Sequence, residues 1–324
     1  MAIEHELTAL SAYRDLRCLV TGGAGFIGSN LVRRLIELGA RVTVLDNFST
    51  GRHEHLPRSP GLEVVEGDLR TSPRLESLAA DAAVVFHLAA QVGNVKSIAE
   101  TERDAETNIL GSVRLYRACR AGGVRRVVYS SSSAIFGEAE TMPIAEDHPQ
   151  RPASFYALSK LTAERYALLA HELWGVPAVC LRYFNVYGLP IEDSEYTGVI
   201  SIFLQRLLAG LPLTIYGDGG AVRDFVFVAD VVAANLLAGL LGTPGRVYNV
   251  GTGAPTDVEA LARTLCELSG RSSPIEHAPA RAGEVRSSLA DITRARRELG
   301  YEPRWSLREG LAVMWRQVAD GLAT

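Results

Sequence analysis

The run Thr21-Gly22-Gly23-Ala24-Gly25-Phe26-Ile27-Gly28 constrains the fold of this chain more than any other segment. It separates a strand-like apolar stretch, Cys18-Leu19-Val20, from a helix-like one, Ile27 to Leu38. A glycine-rich turn from strand to helix needs backbone angles that only glycine adopts cheaply. Its N–H groups and the positive end of the helix dipole then make a seat for an anion such as a pyrophosphate. Turns of this kind also simply connect elements, so context decides. Here a second strand, Arg41–Leu45, runs into Asp46. An acidic residue about 20 residues past the glycine turn is placed to hydrogen-bond the adenosine ribose hydroxyls. A carboxylate there repels a 2′-phosphate, so the pattern points to NAD rather than NADP.

The strands predicted around this turn are Arg17–Val20, Arg41–Leu45, Leu62–Val65, Val84–Leu88, Arg126–Ser130 and Ala178–Tyr183. They are short, apolar and β-branched, as strands covered on both faces should be. Helices are predicted over Ile27–Leu38, Asn108–Ala121 and Ser154–Trp174. Such alternation gives an α/β fold, a Rossmann-type doubly wound parallel sheet, whose ligands bind beyond the carboxyl ends of the strands. After Tyr183 the chain becomes richer in glycine and proline, as in Tyr216-Gly-Asp-Gly-Gly220 and 271–283. Helices are predicted there over Val199–Leu208, Ala229–Leu241, Asp257–Leu268, Thr293–Leu299 and Leu307–Ala319, with a late strand at Arg246–Val250. The expected division is a nucleotide-binding domain of residues 1–185 plus 229–252, and a smaller mixed α/β lobe of 186–228 plus 253–324. The first fifteen or so residues form an extension with no assigned role.

A chain of 324 residues with 47% hydrophobic and 22% charged residues has a globular composition. A net charge of −4 and no basic aromatic stripe argue against a nucleic-acid partner. No apolar run reaches membrane-spanning length, and no signal-peptide core is visible, so the cytoplasm is expected and a membrane role is not. The four cysteines (Cys18, Cys119, Cys180, Cys266) are far apart in apolar surroundings and read as reduced thiols. His53-Glu54-His55 lacks further ligands at metal spacing, so no metal is expected. Glu138, Glu140, Glu146 and Asp147 read as solvated loop carboxylates.

Chemistry is suggested by Tyr156-Ala-Leu-Ser-Lys160. On a helix, Tyr156 and Lys160 share a face one turn apart. A phenol with an ordinary pKa near 10 is a poor base, but a neighbouring ammonium and a cationic nicotinamide both favour phenolate. That would suit Tyr156 as general base and acid. Equal spacing is common on exposed helices, so the pair gains weight only from a third element. The strand Arg126–Ser130 opens into Ser130-Ser131-Ser132-Ser133-Ala134-Ile135-Phe136-Gly137, placing hydroxyls at the carboxyl edge of the sheet. Some of these hydroxyls are expected only to cap local backbone.

Taken together the motifs resemble the extended short-chain dehydrogenase/reductase family, in its nucleotide-sugar epimerase/dehydratase branch, over nearly the whole chain. They are TGGAGFIG, DNFSTG, GDL, HLAAQ, Asn108 with Gly111, SSSSAIFG, YALSK, LRYFNVYG, RDFVFVAD, YNVGTG and RAGEVR. The resemblance implies NAD as cofactor and a UDP-sugar as substrate. It assigns Gly22, Gly25 and Gly28 to the pyrophosphate, with Phe26 and Ile27 following it into the helix. Asp46 would hold the adenosine ribose with Asn47 and Ser49 nearby, and Asp68 and Leu69 would border the adenine. Leu88, Ala89, Ala90 and Asn108 complete the implied cofactor site. Tyr156 and Lys160 would hold the nicotinamide ribose and set up proton transfer. Among the serines, Ser132 corresponds to the family's catalytic Ser/Thr, five residues before the glycine. The substrate nucleotide would be gripped by Asn185, Arg223, Arg281 and Glu284, and Tyr216 would border its uracil. The resemblance also implies a homodimer paired through the helices at Asn108–Ala121 and Ser154–Trp174.

Within that branch, dehydratases and decarboxylases carry an acidic residue just after the catalytic Ser/Thr, where this chain has Ser133 and Ala134. Their absence favours 4-epimerisation through a transient 4-keto sugar. Ser288 falls at a position governing pocket size, and a small residue there implies tolerance of 2-acetamido sugars as well as UDP-Glc and UDP-Gal. Phe136 and Val92 depart from the family's usual tyrosine and lysine. A UDP-glucuronate 4-epimerase is the alternative within the branch, and a non-catalytic NAD-binding regulator is the alternative outside it.

Overall fold

The structure is a computed structural model that describes residues 10–190, 198–279 and 285–320. In the first half the strands are β1 (Arg17–Thr21), β2 (Arg41–Asp46), β3 (Leu62–Glu66), β4 (Val84–His87), β5 (Arg126–Ser132) and β6 (Ala178–Tyr183). The helices between them are α1 (Phe26–Glu37), α2 (Leu75–Asp81), α3 (Asn94–Ala99), α4 (Thr101–Ala105), α5 (Gly111–Ala121) and α6 (Phe155–Trp174). Later strands are β7 (Asn185–Tyr187), β8 (Leu213–Tyr216), β9 (Val222–Phe227), β10 (Val247–Val250), β11 (Pro255–Asp257), β12 (Ile275–Ala278) and β13 (Ser287–Ser288). Later helices are α7 (Val199–Leu208), α8 (Val228–Leu241), α9 (Val258–Ser269), α10 (Thr293–Leu299) and α11 (Leu307–Asp320).

Seven of the strands form one parallel sheet in the order β10-β6-β5-β4-β1-β2-β3. Strand order reverses between β1 and β4, which opens a crevice at their carboxyl ends. Two apolar cores cover its faces. One centres on Val20, Leu31, Phe86 and Leu237 under α1 and α8; the other centres on Leu19, Val85, Leu115 and Tyr129 under α2, α5 and α6. Strands buried on both faces need apolar residues at successive positions, and Val84–His87 is buried throughout. The smaller lobe is built on β9, which pairs with β7, β11 and β13, while β8 pairs with β12. It has its own core, around Phe203, Leu204, Phe227 and Leu261.

Several expectations are corrected. Strand β5 runs on to Ser132, so that serine is still held by the sheet. The helix expected from Asn108 starts earlier, with a π-helical turn at Glu106–Leu110 before α5. Asn108 lies in that turn, with its buried amide bonded both to Gln91 and Ser159 and back to Asp104 one turn earlier. The chain before β1 is not idle: Tyr13 is fully buried and donates its phenol hydrogen to the Leu236 carbonyl (2.8 Å), tying it to α8. Glu146 is not solvated either. It is buried, accepts the Asn249 N–H (3.0 Å) and faces Arg294 (3.5 Å). Glu138 is exposed as expected, and it also accepts the Arg286 N–H (2.9 Å), joining the loop after the serine run to the chain entering β13.

The first sheet is locked to α6 by a buried ion pair. Arg182 on β6 bonds Glu164 on α6 through Nε (3.0 Å) and the guanidinium end (2.7 Å), and both side chains are 2% exposed or less. Glu164 also accepts the Ser131 hydroxyl (2.6 Å), and Arg182 donates to the Glu146 carbonyl (2.7 Å). Removing one partner strands the other charge in the core, which typically costs about 3–5 kcal/mol. Arg182→Met is therefore expected to lower unfolding free energy by about that amount, read by urea denaturation; a loss below about 1 kcal/mol would show that the clamp is not stabilising.

Candidate active site

The glycine turn lies at the crevice where strand order reverses. Gly22 has φ +70°, and a Cβ there would lie 2.6 Å from the Ala89 nitrogen, just beyond β4. A Cβ on Gly28 would run into the Gly22 carbonyl oxygen. Both positions therefore exclude a side chain, for reasons of packing and backbone angle. Helix α1 then begins at Phe26 with no capping side chain and no acidic residue in its first turn. By contrast, α6 is capped by Ser154 and α9 by Asp257. A helix start with uncapped N–H groups, held against a glycine cradle, fits the pyrophosphate of a dinucleotide.

Asp46 closes this cradle in a way the residue spacing did not disclose. It is buried and accepts one N–H on each oxygen, from Ala24 (2.9 Å) and from Phe48 (2.9 Å). The carboxylate thus fastens the glycine turn to the loop that follows β2. That loop holds Phe48 at φ +53°, its ring stacked on His53 at 3.8 Å. A non-glycine residue at positive φ is an uncommon conformation that its surroundings must hold in place. Asn47 donates to Asp68 (2.9 Å) and accepts the Ser49 N–H (3.1 Å). Arg70 forks onto both oxygens of Asp68 (2.9 and 2.8 Å), and this hydrogen-bonded guanidinium holds that carboxyl well below the usual carboxylate range. Leu69, expected beside the adenine, turns its side chain into the core, so any such contact is left to its main chain.

A chain of hydrogen bonds fixes the floor of the crevice. The Ser112 hydroxyl donates to the Asn108 carbonyl (2.6 Å), so it accepts from His87 Nε2 (2.8 Å). His87 Nδ1 then accepts from the Thr21 hydroxyl (2.8 Å), whose oxygen receives the Ala89 N–H (3.4 Å). This orientation requires a neutral ring, and burial lowers the His87 pKa to about 3. Leu88 and Ala90 flank Ala89 in the half-buried segment after β4. Asn108 is almost wholly buried; its side-chain oxygen accepts the Gln91 N–H (2.8 Å), and its Nδ2 faces the Gln91 carbonyl, Asp104 and Ser159, each at 3.0 Å. Its amide is fully engaged by protein. The structure therefore places it behind the crevice as a brace between its helix and α6, rather than as an open cofactor contact.

The serine run is sorted by strand alternation and by partners. Ser131 points back to Glu164, whereas Ser132 is half-buried and its Oγ accepts the Ala134 N–H (3.2 Å). Burial raises the Tyr156 phenol above its ordinary value of 10.0, and the hydrogen bond from Ser132 draws it back down. Lys160, buried one turn further along α6, stands with Nζ over the Tyr129 ring at 4.5 Å. Ser132 thus acts on the phenol from β5, a neighbour that helical spacing does not disclose. Phe136 lies under the Arg182 guanidinium at 5.0 Å, which accounts for an aromatic ring at that position without a hydroxyl.

Three substrate residues expected from sequence come together on the small sheet. Asn185 on β7 lies opposite Phe225, and Ser288 on β13 lies opposite Arg223 on β9. Arg223 donates to the Arg286 carbonyl (3.1 Å), the residue before β13. Tyr216 ends β8 and is 40% exposed. Arg281 and Glu284 lie outside the described residues. Sequence reasoning missed Asp224, the hub of this lobe. Fully buried, it accepts the Thr252 N–H and hydroxyl (both 2.7 Å), the Gly253 N–H (2.9 Å) and the Ala290 N–H (3.1 Å). It thereby joins the loop after β10 to the chain after β13. The signal available was an acidic residue inside an apolar strand, which has to find donors.

A family model described as "NAD dependent epimerase/dehydratase family" matches residues 18–251. A UDP-glucose 4-epimerase of Mycolicibacterium smegmatis is 41% identical over 303 residues, covering 92% of this chain and 96% of that protein. The solved structure of a UDP-glucose 4-epimerase with UDP-glucose from Thermotoga maritima superposes with a TM-score of 0.90 at 38% identity, covering 95% of this chain and 100% of the other. That of a UDP-N-acetylglucosamine 4-epimerase from Methanobrevibacter ruminantium, in complex with UDP-N-acetylmuramic acid, does so with a TM-score of 0.90 at 35% identity, covering 94% and 99%.

Proposed function

Because this chain belongs to the NAD-dependent epimerase/dehydratase family, we propose that it is a UDP-hexose 4-epimerase. Its substrates would be UDP-Glc and UDP-Gal and, through the small residue at 288, UDP-GlcNAc and UDP-GalNAc. What carries this reading is the set of Ser132 at the end of β5 and Tyr156 with Lys160 on the adjoining α6, with no carboxylate at positions 133 and 134 to eliminate water or carbon dioxide. Relatives named for each substrate pair support it.

NAD would be held by Gly22, Gly25 and Gly28 with the start of α1 at Phe26 and Ile27, by Asp46 with Asn47 and Ser49, and by Tyr156 and Lys160. When bound it supplies a hydride acceptor for the sugar C4 and later the donor that returns the hydride. Tyr156 takes the proton of the 4-hydroxyl and returns it on the other face. Ser132 donates to the sugar O4 as it gains carbonyl character. Arg223 suits the pyrophosphate because a guanidinium donates two parallel hydrogen bonds. A firm grip on the nucleotide with a loose one on the sugar lets the keto sugar turn between the two hydride transfers.

A homodimer is part of the proposal. Phe155, Leu158, Tyr166, Leu169 and Leu173 form an exposed apolar stripe along α6, with Val95, Ile98 and Leu110 exposed on nearby elements. A contiguous apolar face of that kind marks an interaction surface. We also place the protein in the cytoplasm, where its free cysteines suit a reducing compartment. The two-lobe division at 185/186, 228/229 and 252/253 is proposed as well, since the seven-stranded sheet uses residues from 17 to 250 and the smaller sheets residues from 185 to 288.

Tyr156→Phe should reduce kcat for UDP-Gal by about 10²-fold or more, with NAD still bound by absorbance or fluorescence; undiminished turnover would sink the mechanism. In a panel of both substrate pairs, wild type should act on each, and Ser288→Tyr should lose the acetamido pair selectively. Parallel loss on both pairs would remove position 288 as the determinant. Leu169→Arg with Leu173→Glu should convert a dimer into a monomer by light scattering, and an unchanged mass would place the interface elsewhere.

A further inference from the structure

Lys160 is one of only two lysines among 33 basic residues, the other being Lys96. The residue is 3% exposed. A charge so far from water needs a compensating charge or it loses its proton. The groups facing it come from five elements. They are Tyr156 and Glu164 on α6, Tyr129 on β5, Cys180 on β6, His87 on β4 and Asp104 on α4. His87 is neutral, and its own hydrogen bonds require it to remain so. The two tyrosines and Cys180 carry no charge at neutral pH, because burial raises the pKa of each. Glu164 is already balanced by the Arg182 fork and the Ser131 hydroxyl.

One carboxylate remains. Asp104 is 1% exposed, and among the described residues no arginine pairs with it. It accepts from Asn108 Nδ2 (3.0 Å), which also faces the Ser159 hydroxyl (3.0 Å), and Ser159 adjoins Lys160 in the chain. Around the buried cations Arg182 and Lys160 lie the acids Glu164 and Asp104, while Glu146, buried beside Arg182, faces Arg294 instead. Arg182 and Glu164 already form a contact pair.

We propose that Asp104 is the counter-ion of Lys160, a positioning residue that keeps the buried ammonium protonated and, through Asn108 and Ser159, in register with Tyr156. The electrostatics agree. Burial lowers Lys160 to about 7, and Asp104 is the largest influence opposing that fall. Burial also raises Asp104, and Ser159 and Lys160 draw it back. The sign follows directly: without Asp104 the ammonium loses its proton at a lower pH, so any step that needs the cation fails at a lower pH. The π-helical turn that carries Asn108 has a matching role, since it lets one amide reach both Asp104 and α6.

The significance of this pair for turnover rests on the epimerase reading, but its test does not. In NAD-loaded protein labelled with [ε-13C]lysine, the two lysines give two NMR signals, and Lys96→Arg assigns them. Asp104→Asn should lower the Lys160 titration midpoint by about one pH unit or more, a tenfold change in its acid constant. Asp104→Glu should restore most of that shift. Where the protein turns over UDP-Gal, the alkaline limb of kcat should move down by the same amount, while the KM for UDP-Gal changes little. If Asp104→Asn does not fold, Asp104→Ser, which keeps an acceptor for Asn108, carries the same expectation. A midpoint unchanged in the folded variant, even with reduced activity, would overturn the proposal and leave Asp104 a structural brace. The midpoint is read whether or not a UDP-sugar is converted, so failure of the epimerase reading is seen separately, as a shifted Lys160 signal with no turnover.

Discussion

The buried contact between Arg182 and Glu164 is the constraint on which the arrangement of this site depends. It joins β6 to α6, and the Ser131 hydroxyl adds β5 to the same carboxylate. Those elements carry Tyr183, Tyr156 with Lys160, and Ser132. A phenol and a hydroxyl that must meet within hydrogen-bonding reach cannot be left to apolar packing alone, because apolar contact is not directional. A bidentate ion pair out of water is directional, and it tolerates little sliding of helix over sheet. The desolvation such a pair must overcome is large, so its value here lies in geometry at least as much as in stability.

Buried carboxylates repeat this logic across the molecule. Asp46 bonds two N–H groups and fastens the glycine turn to the loop after β2. Asp224 bonds four donors and fastens the loop after β10 to the chain after β13. Asp230 accepts the N–H groups of Arg304 and Trp305, holding the chain that leads into α11. In each case an acid replaces regular secondary structure as the partner of loop N–H groups, which would otherwise be buried without acceptors. These loops are thus held in place through short-range bonds to buried carboxylates.

Much of this could be read from residues alone. The glycine turn, the alternation of strand and helix and the segment Tyr156–Lys160 follow from local rules of backbone angle and periodicity, and the structure places them close to where those rules put them. Position 132 was singled out by motif, and strand alternation supplies the physical reason, since Ser131 faces inward to Glu164 and Ser132 does not. What local rules missed were the short strands β7, β9, β11 and β13 of the smaller lobe, each fixed by partners far away in sequence. They also misread Glu146, an acid in a loop whose partners Asn249 and Arg294 lie more than a hundred residues on.

The sequence by itself determined the class of fold, the glycine turn between β1 and α1 and the placing of Tyr156 and Lys160 one turn apart on a helix, because these follow from local patterns of backbone angle and periodicity. Only the tertiary structure decided what those side chains face. The neighbour that lowers the Tyr156 phenol is a strand residue, Ser132, and the carboxylate that acts on Lys160, Asp104, stands on α4. Charge and hydrogen bonding act across space, and the chain carries no local mark of which distant acid a buried ammonium will meet.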